Sequence, residues 1–274
     1  MSIKISVIFT TYNSPDWMEK VLWGFENQTF KDFEIIVADD GSTEETEKRL
    51  SEFKKNSWMK IKHVWQKDKG FRKTRILNKA IVKSKNEYLV FTDGDCIPRS
   101  DFLEVHAKKA KKGYFLSGGY LKLPMATSEL INEKHIKLGK AFDAEWLKSK
   151  GLEDTHKLMK LTASGWKEKI YNSLTPAKAT WNGHNASGWR KDIVAANGFD
   201  ERMQYGGEDR ELGERLFNRG LKSKQIRYSA ICVHLDHARG YVTQEMLKKN
   251  KKIRKDTKRK KLTRTAHGII KDPN

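Results

Sequence analysis

Cysteine is nearly absent. The 274 residues hold two, Cys96 and Cys232, each inside an apolar stretch. Two such thiols make neither a disulfide framework nor a C-x-x-C metal pair, which points to a reducing compartment. Long apolar runs are missing as well: none approaches the roughly 20 residues that a bilayer-spanning helix needs. Met1 to Ile5 pass straight into a strand-like segment, without the charged head and apolar core of a secretory leader. The expectation is a cytoplasmic protein, free or held peripherally at the inner face of the membrane. No internal repeat is present. Acids are scarce in one place: residues 248–264 carry eleven Lys or Arg against the single Asp256, which is +10 of the formal +20. Disorder is excluded by what is plentiful, since aromatics make up 10% of the chain. The length suits one large α/β domain with an appendage.

Residues 3–11 (IKISVIFTT) form a β-branched run that ends in polar residues, the pattern of a strand buried on both faces. Asn13-Ser14-Pro15 then marks a helix start, with Trp17, Val21, Leu22 and Phe25 on one face. Strands are predicted at 33–38, 61–65 and 88–92, with helices over 46–53 and 72–82 between them. This alternation implies a mostly parallel, doubly wound α/β sheet. Such sheets bind ligands at the carboxyl ends of their strands. Thr10-Thr11, Asp39-Asp40 and Asp93-Asp95 all fall at such ends. Beyond them, 130–146 and 155–161 read as helical, and 181–207 as tight loops rich in Gly, Asn and Trp. An amphipathic helix is predicted over 208–219 with Leu212, Leu216 and Phe217 inward. A last strand is expected at 229–235, followed by a loop at 238–240 and a basic, helix-compatible tail.

Four constellations carry chemistry. Asp93-Gly94-Asp95 puts two carboxylates at a strand end, where they can share a hard divalent ion such as Mg²⁺ or Mn²⁺ with phosphate oxygens; an acidic turn without a ligand shows the same residues. His234 and His237 offer nitrogen ligands if the last strand lies beside the fourth, and surface or core histidines are the plain alternative. Tyr205-Gly206-Gly207-Glu208-Asp209 stands at a helix mouth. Its glycines admit a close ligand, and Asp209 within reach of a hydroxyl is a general base. By composition alone the two acids simply complement the helix dipole. Finally, the run from Asp68 to Arg75 places Gly70 before cations at a helix start, which suits phosphate, or a solvated basic face.

Together these residues resemble family 2 of the inverting glycosyltransferases. The motifs are VIFTTYN (7–13), QTFKDFEIIVADDGS (28–42), KGFRKTRILN (69–78) and YLVFTDGDCIP (88–98), in the family's order and spacing. WNGHNASGWRKD (181–192), NGFDER (197–202) and YGGEDREL (205–212) resemble the acceptor-side module of β-1,4-galactosyltransferases and polypeptide N-acetylgalactosaminyltransferases. The resemblance covers about 3–110 and 180–240. It implies the type A (GT-A) fold, with a catalytic domain over 1–243. That domain divides into a nucleotide-sugar-binding half (1–110), a helical insertion (111–180) and an acceptor and metal half (181–243); a basic tail follows at 244–274.

By the same resemblance, Thr10 and Asp40 hold the base and ribose with Arg75 nearby. Asp93, Gly94 and Asp95 face the ribose, phosphates and metal. Asp95 is the firmest metal ligand, and His234 or His237 completes the Mn²⁺ or Mg²⁺ site. Between these two, the strand alternation Ala230-Cys232-His234 favours His234. Asp209 is the base, with Glu208 beside it, and Trp189, Tyr205, Gly206 and Gly207 face the acceptor. Where relatives often carry Asn, Ala and Trp, this chain has Asp68, Thr74 and Tyr205. The implied reaction is one in-line, inverting displacement from a nucleotide-diphosphate sugar, UDP-linked, to a saccharide or lipid-linked glycan of a surface polysaccharide or lipopolysaccharide. A basic nucleic-acid binder and an inactive sugar-binding scaffold are the alternatives. The tail lacks interleaved aromatics, so no nucleic acid is expected; it is predicted instead to dock on anionic lipid. The presence of Asp40, Asp93, Asp95 and Asp209 argues against a dead scaffold.

Overall fold

The structure, a computed structural model, describes residues 3–238 and 242–271; Arg239 and Gly240 of the expected loop lie outside them. The strands are β1 (Ile5–Thr11), β2 (Phe33–Asp39), β3 (Lys60–Trp65), β4 (Tyr88–Asp93), β5 (Cys96–Pro98), β6 (Tyr114–Ser117), β7 (Gly119–Lys122), β8 (Ala186–Trp189), β9 (Lys222–Gln225) and β10 (Ile231–His234). A seven-stranded sheet has the order β3-β2-β1-β4-β8-β6-β9, in which β8 alone runs against its neighbours. The α/β, mostly parallel expectation is borne out.

The apolar runs of β1, β2 and β4 are buried on both faces because helices cover both. Val7, Phe9, Ile35 and Val37 point into a core shared with the helix Pro15–Glu26. Ile8, Ile36, Leu89 and Phe91 point the other way, against Ile76, Leu77, Ala80 and Ile81 of the helix Lys73–Lys83 and Leu212 and Leu216 of the helix Glu208–Asn218. Phe217, expected inward, is 41% exposed and meets only the edge of this core through Phe115.

Three readings of the sequence are corrected. The last strand does not pair with β4: β10 joins a separate three-stranded sheet, antiparallel to β5 and parallel to β7. β5 begins one residue after Asp95, so β10 still arrives beside the acidic turn. The segment at 130–146 is not one helix. Asn132 and Asp143 cap new short helices and Gly139 takes a left-handed φ of 72°, which breaks the run into separate turns. The segment at 181–207 is not all loop, because it supplies β8 to the middle of the sheet.

The basic tail is not a free appendage. Its helix, Gln244–Arg259, packs on the helix Glu208–Asn218. Thr257 donates to Glu211 (2.9 Å), Arg254 is paired with Glu214, and Asn218 donates to the carbonyls of Thr257 and Leu262. Further on, Thr265 donates to Asp200 and Asn197 donates to the carbonyls of Thr265 and Ile270. Lys248, Lys249, Lys252 and Lys255 remain exposed. Among the described residues, no helix is long and apolar enough to cross a membrane.

Candidate active site

The carboxyl ends of β1, β2 and β4, the start of the helix Glu208–Asn218 and the end of β10 surround one cavity of about 950 Å³. Thr10, Asp40, Asp93, Gly94, Asp95, Tyr205, Glu208, Asp209, His234 and His237 all line it. Thus most of the residues singled out in the sequence, drawn from as far apart as Thr10 and His237, share one space. Gly94 is explained by packing. A Cβ there would sit 2.3 Å from the Thr10 carbonyl oxygen, so only glycine lets the acidic turn pass the end of β1.

On one wall, Asp95 Oδ2 lies 3.0 Å from His237 Nε2 and 3.6 Å from His234 Nε2. Burial opposes ionisation of Asp95, but the hydrogen bond from His237 and the charges of both imidazoles hold its carboxyl below the ordinary range. Each imidazole turns its Nδ1 to a backbone carbonyl, His234 to Leu235 (2.7 Å) and His237 to Ala238 (2.8 Å). A carbonyl can only accept, so Nδ1 carries a proton in each ring; Nε2 is then the nitrogen that faces Asp95, as donor in the hydrogen bond from His237 or, once deprotonated, as a ligand to an ion. Ligand atoms of the three residues lie within 4.8 Å of one another. One carboxylate and two imidazoles that turn Nε2 to the same space fit a divalent ion. The geometry draws no distinction in favour of His234, since His237 stands closer to Asp95.

On the other wall, Asp209 enters against the main chain. A Cβ on Gly183 would lie 2.7 Å from Asp209 Oδ2, and the backbone N–H of Gly183 donates to this carboxylate instead. Asp209 Oδ1 is buried with no hydrogen-bond partner among the described residues. Burial first, then the neighbouring charges of Glu208 and Asp93, push the Asp209 carboxyl up to about 8. Glu208 is also raised by burial, and its Oε2 accepts from the Gly206 N–H (2.9 Å).

Between the walls stands Lys73, whose Nζ lies 2.7 Å from Asp93 Oδ1. Burial works against its charge, yet Asp93, Asp209 and Glu208 together hold the ammonium well above its ordinary range. Beside the end of β2, Asp40 is already engaged, accepting from Gln66 Nε2 (2.6 Å) and from the Arg72 backbone N–H (2.7 Å). Tyr12 lines the cavity and donates to Asp68 (2.9 Å).

Four expected residues do not line the cavity. Arg75 is exposed: it lies two residues beyond Lys73, so the helical turn of about 100° per residue carries it to the far side. Trp189 sits opposite Tyr88 at the start of β4, because β8 runs antiparallel and each step from Ala186 leads away from Asp93. Gly206 and Gly207 turn their α-carbons to the C-terminal helix, toward Leu247 and Arg254. Conversely, Lys73 lines the cavity from within the Asp68–Arg75 run, where Arg75 was preferred, and Tyr12 and His184 line it without having been named individually. His184 stacks edge-on with Tyr120, and burial pushes it down to about 4, so it stands neutral. The signals were present, as Lys73 opens a helix three residues after Gly70 and His184 follows Gly183.

Comparison with known proteins agrees with this arrangement. A family model described as Glycosyl transferase family 2 matches residues 6–188. The chain is 26% identical over 242 residues to a chondroitin synthase of Escherichia coli, covering 81% of this chain and 33% of that protein. It spans a third or less of the first curated relatives it matches. A mannosyltransferase from Pyrobaculum calidifontis, solved with GDP-Man and Mn²⁺, aligns with TM-score 0.60 and 18% identity, over 88% of this chain and 59% of that one. Residues 1–349 of TarS from S. aureus, solved with UDP-GlcNAc, align with TM-score 0.57 and 16% identity, over 87% and 60%. At these identities the two structures speak to the fold, which is the GT-A fold.

Proposed function

The chain belongs to glycosyl transferase family 2, and from that premise we propose that it moves a hexose or an N-acetylhexosamine from a UDP-linked sugar to a hydroxyl of a saccharide acceptor. The observation that carries the reading is two groups that line one cavity: a cluster at Asp95 able to hold an ion, and a buried carboxylate, Asp209, with a raised pKa and an unpartnered oxygen. Asp209 takes the proton of the acceptor hydroxyl as that oxygen attacks the anomeric carbon. The bond to the diphosphate oxygen breaks with its electron pair, and one displacement inverts the centre. Asp95, His234 and His237 would hold Mn²⁺ or Mg²⁺, which supplies charge neutralisation for the leaving diphosphate. Lys73 adds fixed positive charge in the same space, and Tyr12 and Asp40 bound the nucleoside end. Glu208 and Tyr205 border the acceptor.

The acceptor in this proposal is a surface-polysaccharide, lipopolysaccharide or lipid-linked glycan. Contact with an anionic membrane would fall to the outward Lys248, Lys249, Lys252 and Lys255, each worth about 1 kcal/mol near anionic lipid. Equal sedimentation with neutral and anionic vesicles at low salt would dismiss that contact. The enzymatic reading is tested by a donor screen that follows nucleoside-diphosphate release with Mn²⁺. Release from a UDP-sugar, accelerated by a saccharide acceptor, is expected; no release from any donor overturns it.

A further inference from the structure

The C-terminal helix Gln244–Arg259 lies beyond the family-matched residues, and its inner face closes on the loop that leads into the two acids. Leu247, Asn250 and Arg254 fall at one face of this helix. Cβ atoms on Gly206 and Gly207 would stand 2.5 Å from Leu247 Cδ2 and 3.0 Å from Arg254 Cδ. Between these contacts, Asn250 is fully buried, at 0% exposure, on a helix otherwise crowded with exposed cations. Its Nδ2 donates to three consecutive carbonyls, Gln204 (2.9 Å), Tyr205 (3.1 Å) and Gly206 (3.1 Å). Its Oδ1 accepts from the Gln204 N–H (3.3 Å). One side-chain amide thus closes a loop that has no strand or helix of its own.

That loop needs closing. Gly206 and Gly207 both have left-handed φ, 106° and 87°, so the chain there is free to take many conformations unless something fixes it. The Gly206 N–H is the group that holds Glu208 Oε2, and Asp209 follows directly. Tyr205, whose carbonyl Asn250 binds, lines the cavity and meets Phe71 edge-on at 6.0 Å. We propose that Asn250 is a positioning residue for glycosyl transfer: by clamping the 204–206 carbonyls it fixes Glu208 and Asp209 against the acceptor side of the cleft. The inference rests on the transfer reading above and extends the working site to a helix that the sequence presents as a basic tail. A misplacement of about 1 Å at a catalytic group costs on the order of 10²-fold in rate, so the effect is large although Asn250 touches no substrate.

The test compares Asn250→Ala with Thr257→Val in the full chain. Thr257 lies on the same buried face, and its bond to Glu211 stabilises the helix pair without reaching the loop. Both variants are expected to melt below wild type. Only Asn250→Ala is expected to lose about 100-fold in kcat, with the affinity for UDP and Mn²⁺ unchanged and with faster hydrogen exchange confined to the 204–208 amides. Unchanged exchange there overturns the clamp. A kcat within twofold of Thr257→Val overturns its role in positioning. A wild type that releases UDP from no donor overturns the transfer reading and this inference together, and it shows before any variant is made.

Discussion

The two walls of the cleft hold acids in opposite ways. Asp95 is met by two imidazoles and its carboxyl is held below the ordinary range, so it stays an anion. Asp209 is met by the Gly183 N–H, with one oxygen unpartnered, and is pushed up to about 8. On the proposed reading, these surroundings sort two carboxylates of one cavity into a ligand and a proton acceptor. Lys73 links the walls, paired with Asp93 on one side and close enough to Asp209 to moderate its rise. The contrast is one of contacts: imidazoles meet Asp95 directly, whereas Asp209 keeps an oxygen without a hydrogen bond.

The contrast breaks most severely at the base. Asp209→Asn is expected to lower kcat by about 10³-fold while nucleotide affinity holds, read by steady-state kinetics beside calorimetric titration. Replacing the linking cation comes next. Lys73→Met is expected to cost about 10²-fold and to move the acid limb of kcat/KM to higher pH, since the ammonium lowers the Asp209 pKa; an unmoved limb would detach Lys73 from the base. On the metal wall, His234→Ala and His237→Ala are each expected to weaken Mn²⁺-dependent UDP binding by at least about 10-fold. Loss in only one of them would reduce the cluster to that histidine.

The smallest effect sharpens the comparison through stability. The Asp209 carboxyl is raised from an ordinary 3.8 to about 8, so the folded chain holds this proton more tightly than the unfolded one. Its contribution to stability is full below pH 3.8 and is lost as pH rises through about 8. Asp209→Asn removes that loss. It is expected to melt a few degrees above wild type at pH 9, with the gap closing at acidic pH. A variant that melts lower at pH 9 would return Asp209 to a plain helix-capping role.

The strand-end side of the cavity was legible in the sequence because its determinants are local. A parallel strand buried on both faces is an apolar run, and the polar residues that end it stand at the ligand edge; Thr10, Asp40 and Asp93-Asp95 followed from that alone. The rest of the site depends on direction and partners that no short stretch records. Trp189 was misplaced because nothing in ASGW reveals that β8 runs backwards beside β4. Arg75 and Lys73 belong to one basic run, and only the helix phase decides which of them points inward. The C-terminal helix read as a basic tail apart from the domain because it is anchored by polar groups, Asn250 and Thr257, and not by an apolar stripe.

One paired titration tests the division of labour most directly. UDP is titrated with and without Mn²⁺ into Asp95→Ala and Asp209→Asn, and turnover is read on both. The account predicts that Asp95→Ala loses the Mn²⁺-dependent gain in affinity together with turnover, whereas Asp209→Asn keeps the gain and still does not turn over. Loss of the gain in both variants, or its retention in both, would contradict it.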